Sequence, residues 1–236
     1  MFRHGQASFG QANYDRLSEL GEVQARVLGE YWVRWREPLD AVYAGTLERQ
    51  RMTAILTGEA FVGKGLPFPE IIELPELNEY DTQFILSSSV PRAVSEHPEI
   101  LSLVKELAPA GPEALRNNKR AFQRLFARVM DLWVEGRLEV EGMESWPEFA
   151  ARVNRGLERI MAEQSSGRTV GVFTSGGPIS AAMQRALNCP DKTALELGWM
   201  ILNGSITEFK FKDGRFTLAA FNSAPHLVEK KLWSYR

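Results

Sequence analysis

A short, almost wholly apolar run near the carboxyl end of the chain constrains the fold most. Residues 169–174 read Thr-Val-Gly-Val-Phe-Thr, pass into a Ser-Gly-Gly-Pro turn at 175–178, and are followed by a helical pattern over 179–187. A strand with so few polar residues is typical of a parallel sheet that helices cover on both faces. The run therefore predicts an α/β fold.

The amino-terminal part of the chain repeats this alternation of strand and helix. Residues 17–35 place apolar side chains at spacings of three and four, with Ser18 as the predicted N-cap. A short apolar run at 39–44 leads through a Gly-Thr turn into a second helical pattern over 47–60, and a brief apolar stretch follows at 71–74. These segments predict further strands of the same sheet.

A hairpin and a helical insertion complete the predicted architecture. Residues 206–211 and 215–221 alternate around Asp213-Gly214, a strong hairpin signal. Between about 82 and 168 the pattern is helical and more polar. We predict one domain over 1–236, a three-layer sandwich with a largely parallel central sheet, which carries a helical cap inserted at about 82–168.

The composition excludes several classes of protein. Lys and Arg total 28 against 30 Asp and Glu, a net charge of -2, so no global basic field favours nucleic acid. The single cysteine excludes an internal disulfide and favours a reducing compartment. No apolar run approaches the roughly 18 to 20 residues that a bilayer requires. We expect a cytoplasmic protein without nucleic-acid or membrane partners; a homodimer is left open.

Charged side chains follow the predicted strands. Arg3 and His4 stand where a first short strand ends, Arg49 lies in the helical pattern after the 39–44 strand, and Glu79 follows the 71–74 strand. Ligands bind at the carboxyl ends of strands in such sheets. A neutral imidazole is a nucleophile, and guanidinium groups match phosphate oxygens. The four side chains therefore predict a pocket for phosphoryl transfer.

The start of the chain is short for this role. Only two residues precede Arg3, whereas a strand usually has about five residues. We therefore expect the natural protein to begin several residues upstream, with an apolar strand that positions Arg3 and His4. Restoring about five apolar residues is expected to raise the melting temperature.

Four segments of the chain together resemble the histidine phosphatase superfamily, also called phosphoglycerate-mutase-like. They are Arg-His-Gly-Gln-Ala-Ser at 3–8, Leu-Ser-Glu-Leu-Gly-Glu-Val-Gln-Ala at 17–25, Arg49 followed by Met-Thr-Ala at 52–54, and Leu-Asn-Glu at 77–79. The resemblance covers both ends of the chain but not the predicted insertion. It implies a phosphoglycerate-mutase-like fold.

The resemblance also implies a covalent mechanism. His4 would attack the phosphorus of a small phosphate monoester and become phosphohistidine, while Arg3 and Arg49 hold the phosphoryl oxygens. Glu79 would protonate the leaving oxygen and later deprotonate the attacking water. The expected function is therefore a phosphatase whose partner is a small phosphate ester. Neither a cofactor nor a metal ion is expected, since no two histidines show metal-ligand spacing.

The chain departs from the family pattern at one position. The family's second histidine normally stands in a His-Gly-Gly turn after a buried strand, where this chain has Ser175 and Gly176. These residues at a helix N-terminus still offer N–H groups and one hydroxyl to an anion. Exchanging a charge-assisted donor for a neutral one costs roughly 1 to 3 kcal/mol. A weakly active or inactive phospholigand-binding protein is therefore the first alternative.

A phosphoglycerate-mutase-type phosphotransferase is the second alternative. It is less favoured because residues 6–9 read Gln-Ala-Ser-Phe and lack the Glu-Ser-x-Trp-Asn pattern of the glycolytic mutases.

His226 and His97 are not expected to replace the missing histidine: we interpret the first as structural and the second as a surface residue. A Walker-like stretch at 58–65 lacks the required Ser or Thr, and Phe173 interrupts a nucleophile-elbow pattern.

Basic side chains recur along one predicted helix of the insertion. We interpret them as a solvated face, and the alternative is a face that overhangs the pocket and binds other negative groups of the substrate. The residues are Arg116, Lys119, Arg120, Arg124 and Arg128.

Overall fold

The structure is a computed structural model. It describes residues 1–8, 14–81, 85, 90, 93–107, 119–138, 141–142, 144–165 and 167–235. The contacts within the chain divide it into two compact units. The first unit consists of Met1–Glu79 and Ala150–Arg236, and the second unit is Tyr80–Phe149.

The first unit is built on a six-stranded sheet whose strands lie in the order β3-β2-β4-β1-β5-β6. The pairs β3–β2, β2–β4 and β4–β1 are parallel, whereas β5 and β6 join the sheet antiparallel. The predicted α/β fold with a largely parallel sheet is confirmed. The strands are β1 (Phe2–Arg3), β2 (Ala41–Ala44), β3 (Ile71–Glu73), β4 (Val170–Thr174), β5 (Ile206–Lys212) and β6 (Arg215–Ser223).

Helices connect the strands, as the sequence predicts. Ser18 caps the first of them, since its side chain accepts a hydrogen bond of 3.1 Å from the backbone N–H of Gly21. The last helix has no counterpart among the predicted elements. The helices are α1 (Glu19–Trp35), α2 (Glu48–Val62), α3 (Pro98–Leu107), α4 (Lys119–Val134), α5 (Trp146–Glu163), α6 (Gly176–Leu187) and α7 (Asp191–Trp199).

Strand β2 shows why the first unit has three layers. Successive side chains of a strand point to opposite faces of the sheet. Val42 and Ala44 pack in a core with side chains of α1 and α2, among them Leu28, Trp32, Ala54 and Phe61. Ala41 and Tyr43 pack on the other face with Leu74, Leu77 and Ile160, the last of which belongs to α5. The sheet therefore lies between two helical layers.

The hairpin between β5 and β6 turns at the predicted residues. Asp213 has a φ of 49° and Gly214 a φ of 78°. Two consecutive positive φ values are what a two-residue type I′ turn requires, and Asp-Gly is one of the sequences that adopt it readily. The hairpin extends the sheet beyond β1, because β5 pairs with β1 and β6 pairs with β5.

The boundary between the two units differs from the predicted end of the insertion. The insertion was predicted to reach residue 168, whereas the division lies at 149–150, within α5. The reason is the apolar stripe of α5: Ile160 belongs to the core beneath the sheet, and an added Cβ at Gly156 would lie only 2.8 Å from the Cβ of Glu76. The role of the second unit as a cap stays a prediction.

Two basic residues of α4 pair with carboxylates of α3 inside the second unit. Arg124 binds Glu106, and Arg128 binds Glu99 at 2.8 Å. These pairs agree with the interpretation as a solvated face. Arg116 and the side chains of Lys119 and Arg120 lie outside the described residues. None of the helices that the described residues form has the length and apolar character that crossing a membrane requires.

Candidate active site

His4 stands at the carboxyl end of β1 with its ring orientation fixed. Its backbone N–H donates to the carbonyl of Thr174 at 2.8 Å, so the residue is held beside the end of β4. The ring Nδ1 lies 2.7 Å from the carbonyl oxygen of Gly5, and Arg49 Nε lies 3.2 Å from Nε2. Because a carbonyl only accepts and Arg49 only donates, Nδ1 carries the proton and Nε2 presents its lone pair.

The surroundings of His4 keep this ring neutral. The side chain is buried, with 5% of its surface exposed. Burial first, and then the positive charges of Arg49 and Arg3, hold the pKa of His4 well below its ordinary value of 6.5. At neutral pH the ring therefore offers an unprotonated nitrogen, which is the form that acts as a nucleophile.

Arg49 connects His4 to a carboxylate, Asp15, that no sequence motif predicts. Arg49 is buried in the first turn of α2, and its Nη1 donates to Asp15 Oδ1 at 2.5 Å. The other oxygen of Asp15 accepts the backbone N–H of Glu48 at 2.7 Å, so Asp15 also binds the free start of α2. Tyr14 lies beneath the guanidinium, 5.5 Å from ring centre to Cζ. No local pattern reveals this contact, because Asp15 and Arg49 are 34 residues apart.

Gly5 allows the loop after His4 to pack closely on α1. A Cβ at Gly5 would lie 2.3 Å from the carbonyl oxygen of Gly21, which is far inside van der Waals contact. The backbone N–H of Gly5 donates to Thr53 Oγ1 at 3.0 Å, and that hydroxyl donates to the carbonyl of Arg49 at 2.7 Å. The His4 loop and the first turn of α2 are therefore joined by backbone and side chain together.

Arg3 lies at the start of α6. Its guanidinium donates to the backbone carbonyls of Ile201 and Tyr235, the second at 2.7 Å. A Cβ added at Gly176 would lie 3.8 Å from Arg3 Nε. Gly176 is the first residue of α6, where backbone N–H groups and the helix dipole favour an anion. A positive side chain and a helix N-terminus therefore meet at one place.

Glu79 contacts the same helix N-terminus from the end of β3. Its Oε2 accepts the backbone N–H of Gly177 at 3.1 Å. Asn78 fixes the preceding turn, because its Oδ1 accepts the backbone N–H of Thr46 at 2.7 Å. Arg152 of α5 donates to the carbonyl of Asn78 at 3.1 Å. The carboxylate is therefore held by a turn that is tied to β2 and to α5.

Ser175 occupies the N-cap position of α6 but does not cap it. The residue is fully buried, and its side chain makes no hydrogen bond to the first turn of α6. Its Oγ accepts a hydrogen bond of 2.8 Å from Gln50 Nε2. No sequence motif predicts this role of Gln50, because Ser175 lies 125 residues further along the chain.

The structure brings the predicted site residues together. His4 contacts Arg49 directly, Arg3 lies beside Gly176, and Glu79 reaches the next residue of α6. Ser175 joins them through Gln50, the chain neighbour of Arg49. Within the described ranges, no group of three or more His, Cys, Asp or Glu side chains is placed to hold a metal ion.

The two other histidines are not predicted to belong to the site. His226 Nε2 is 3.0 Å from the carbonyl oxygen of Gly204, and burial lowers the pKa of His226 to about 4, which fits the predicted structural role. The prediction that His97 is a surface residue is wrong, since only 9% of it is exposed. His97 directly precedes α3, where its backbone N–H donates to the carbonyl of Ala93 and its carbonyl accepts the N–H of Ile100.

A neutral imidazole beside guanidinium groups, a carboxylate and a helix N-terminus is an arrangement whose chemistry suits phosphoryl transfer. The sequence comparison identifies the family: the chain belongs to the histidine phosphatase superfamily, whose branch 1 model matches residues 1–112 and 77–224. No curated protein sequence shows significant similarity to the chain.

Solved structures with this fold cover almost the whole chain. A mycobacterial glucosyl-3-phosphoglycerate phosphatase is 24% identical with a TM-score of 0.61, over 95% of this chain and 97% of the other. An Entamoeba histolytica phosphoserine phosphatase is 16% identical with a TM-score of 0.62, over 96% and 97%. Bacillus stearothermophilus YhfR is 17% identical with a TM-score of 0.64, over 95% and 96%. At these identities the likeness establishes the fold.

Proposed function

We propose that this protein is a phosphatase that hydrolyses a small phosphate monoester through a phosphohistidine at His4. The observation that carries the proposal is the state of the His4 ring. Its Nε2 presents a lone pair to the Arg49 guanidinium at 3.2 Å, and burial together with Arg49 and Arg3 keeps the ring unprotonated through its lowered pKa. A buried, neutral and positively flanked imidazole is suited to attack a phosphorus that carries anionic oxygens.

In the first step, His4 Nε2 forms a bond to phosphorus and the bond between phosphorus and the ester oxygen breaks. The electron pair of that bond leaves with the oxygen, which takes a proton from Glu79 in its acid form. The guanidinium groups of Arg3 and Arg49 hold the phosphoryl oxygens. The carbonyl of Gly5, 2.7 Å from Nδ1, stabilises the positive charge that the ring gains.

In the second step, water attacks the phosphorus of the phosphohistidine. Glu79, now a carboxylate, accepts the proton of that water, and the bond between phosphorus and nitrogen breaks with its electron pair returning to Nε2. Inorganic phosphate leaves, and the ring is again neutral with its proton on Nδ1. The cycle needs no cofactor and no metal ion. Unaided hydrolysis of such esters is extremely slow, so positioning and charge neutralisation supply the acceleration.

A phospholigand-binding protein without turnover is the second candidate, and Ser175 favours it. A neutral hydroxyl stands where the family carries a histidine, so the end of β4 supplies no ionisable ring to the transferred phosphoryl group. Such a protein would bind phosphate esters at Arg3, Arg49 and the start of α6 and release no phosphate.

Phosphate release over a panel of esters tests the proposal. The panel includes phosphoserine and glucosyl-3-phosphoglycerate, the esters named for the similar structures, together with 3-phosphoglycerate and p-nitrophenyl phosphate. We expect release from at least one ester, and a loss of about 10³-fold or more in His4→Ala. Turnover equal to that of His4→Ala on every ester, with retained binding of phosphate, would establish the phospholigand-binding alternative.

A further inference from the structure

We propose that Gln50 and Ser175 together supply the hydrogen bond to phosphate that a histidine makes in the family pattern. In this pair Ser175 touches the phosphate, and Gln50 is a positioning residue that turns the Ser175 hydroxyl towards it. The inference rests on the proposed function and deepens it. In the proposed reaction, the end of β4 then holds a phosphoryl group without an imidazole.

The orientation of the Gln50 amide is fixed by its contacts. Gln50 is fully buried, and its Nε2 donates to Ser175 Oγ at 2.8 Å and to the carbonyl oxygen of Leu77 at 3.2 Å. Its Oε1 accepts the backbone N–H of Leu47 at 3.4 Å. Because the Leu77 carbonyl only accepts, the nitrogen of the amide must face Ser175.

The neighbouring backbone leaves room for this side chain. Gly45 follows β2, and a Cβ added there would lie 1.9 Å from Gln50 Oε1 and 2.7 Å from Asn78 Oδ1. Any larger residue at position 45 would push Gln50 away from Ser175 or displace the turn that carries Glu79. The space beside Ser175 is therefore shaped for a glutamine.

The hydrogen bond from Gln50 determines where the Ser175 proton points. A serine hydroxyl has one proton, and an oxygen that accepts the Gln50 N–H directs that proton elsewhere. Among the residues that the structure describes, the Ser175 hydroxyl donates to no acceptor, and it does not cap α6. It stands at the start of α6, where the helix attracts an anion. A phosphoryl oxygen bound there would complete its hydrogen bonding.

Residues in the first turn of α2 contact the residues that follow both β1 and β4. Arg49 contacts His4 after β1, and the next residue, Gln50, contacts Ser175 after β4. A ligand held at His4 Nε2 and at the start of α6 therefore lies between two consecutive side chains of one helix. Because His4 and Ser175 also follow adjacent parallel strands, the proposal assigns the Ser175 hydroxyl to the phosphate site of the proposed reaction.

The pair makes a specific prediction about restoring a histidine. Ser175→His alone places an imidazole where the buried Gln50 amide already lies, so we expect kcat/KM to fall. In Gln50→Ala/Ser175→His the amide is gone and the ring has space, so we expect kcat/KM to recover above that of Ser175→His. A rise in kcat/KM on Ser175→His alone would overturn the proposal.

A double-mutant cycle measures the coupling between the two residues. The affinities of orthovanadate and inorganic phosphate are measured for the unmodified protein, Gln50→Met, Ser175→Ala and their combination. We expect each single substitution to weaken binding about tenfold. Gln50→Met in the Ser175→Ala background should weaken it less than about twofold, because the hydroxyl that Gln50 orients is absent.

Two further variants distinguish a specific effect on phosphate affinity from a purely structural effect. Gln164→Met is the matched control, since it removes a hydrogen bond of 2.7 Å from an amide to the Tyr43 hydroxyl, and it should leave phosphate affinity unchanged. Gln50→Glu has the shape of glutamine but accepts the Ser175 proton, so it should weaken binding more than Gln50→Met. It replaces Gln50→Met if that variant does not fold.

The outcomes separate this inference from the proposed function. Equal losses for the Gln50 substitution in both backgrounds, or unchanged affinity in Ser175→Ala, would overturn the pairing while leaving the phosphatase proposal intact. If the unmodified protein neither binds phosphate nor releases it from any ester, both proposals are wrong. Coupled losses in a protein that turns over support both.

Discussion

The ends of β1 and β4 are adjacent, parallel and chemically unlike. After β1 the chain presents His4, an ionisable ring whose two nitrogens are both engaged, one by the Gly5 carbonyl and one by Arg49. After β4 it presents Ser175, a neutral hydroxyl held by Gln50. The covalent step needs a nitrogen lone pair that bonds to phosphorus, whereas holding an oxygen needs only a donor. The end of β1 therefore tolerates fewer kinds of side chain than the end of β4.

This difference predicts how substitutions at the two ends should rank. Changes that disturb His4 or its guanidinium partner should reduce turnover most, because they act on bond formation. Changes at the β4 end should act more on binding, since several N–H groups at the start of α6 share the same task.

Arg49→Lys is expected to have the largest effect among the supporting residues. Lysine keeps the positive charge but loses the planar guanidinium that contacts His4 and Asp15 at once. We expect kcat/KM to fall roughly 10²- to 10³-fold, measured by steady-state kinetics with thermal unfolding as a control for folding. A fall of less than about fivefold would show that charge alone suffices at this position.

Glu79→Gln tests the carboxylate that contacts the β4 end. Glutamine keeps an oxygen for the Gly177 N–H but has no proton to transfer. We expect kcat/KM to fall roughly 10²-fold with an alkyl phosphate. The fall should be smaller with p-nitrophenyl phosphate, whose leaving group needs no proton. Glu73→Gln, a carboxylate that binds Arg51 at 2.8 Å, is the matched control. Equal losses on both substrates would contradict the role as general acid.

Asp15→Asn tests whether Asp15 orients Arg49 at the end of β1. Asparagine retains an oxygen for the Glu48 N–H while removing the negative charge beside Arg49. We expect kcat/KM to fall about five- to tenfold because Arg49 is less well oriented. Glu48→Gln, which removes an exposed partner of Arg16 at 3.7 Å, should leave kcat/KM unchanged. A loss in Glu48→Gln as large as that in Asp15→Asn would argue against a specific role.

The last prediction concerns the protonation state of His4, which we expect to remain neutral at mildly acid pH. Burial and the charges of Arg49 and Arg3 lower the pKa of His4 in the folded protein below 6.5. As the pH falls through 6.5, the unfolded chain takes up a proton that folded His4 refuses, so the folded state loses stability. We expect nitrogen NMR to show a neutral ring with its proton on Nδ1 at about pH 5.5. A doubly protonated His4 there would contradict the assigned state.

Much of the scaffold was predictable because local rules determine it. The apolar run of β4, the Asp-Gly turn between β5 and β6 and the Ser18 cap each depend on neighbouring residues alone. The division between the two compact units was not predictable, because the stripe of α5 shows that the helix is amphipathic but not which core it joins. The burial of His97 was not predictable from its polar sequence neighbours, Ser95 and Glu96.

Some residues of the candidate site were likewise predictable from the sequence, and others were not. His4, Arg3, Arg49 and Glu79 were found because each follows a predicted strand, and the resemblance assigned them roles. Asp15 and Gln50 were missed because their partners lie far along the chain, 34 residues for Asp15 and 125 for Gln50. Periodicity and motif spacing carry no information about such contacts.

Trapping the covalent intermediate tests the central claim most directly. The protein is mixed rapidly with the ester that it hydrolyses fastest, denatured in base, and assayed for bound phosphate before and after acid treatment. The proposed mechanism predicts a phosphoprotein that acid destroys, that is absent in His4→Ala and that still forms, to a lower level, in Ser175→Ala. Turnover without any such phosphoprotein, or its persistence in His4→Ala, would contradict the assignment of His4 as the nucleophile.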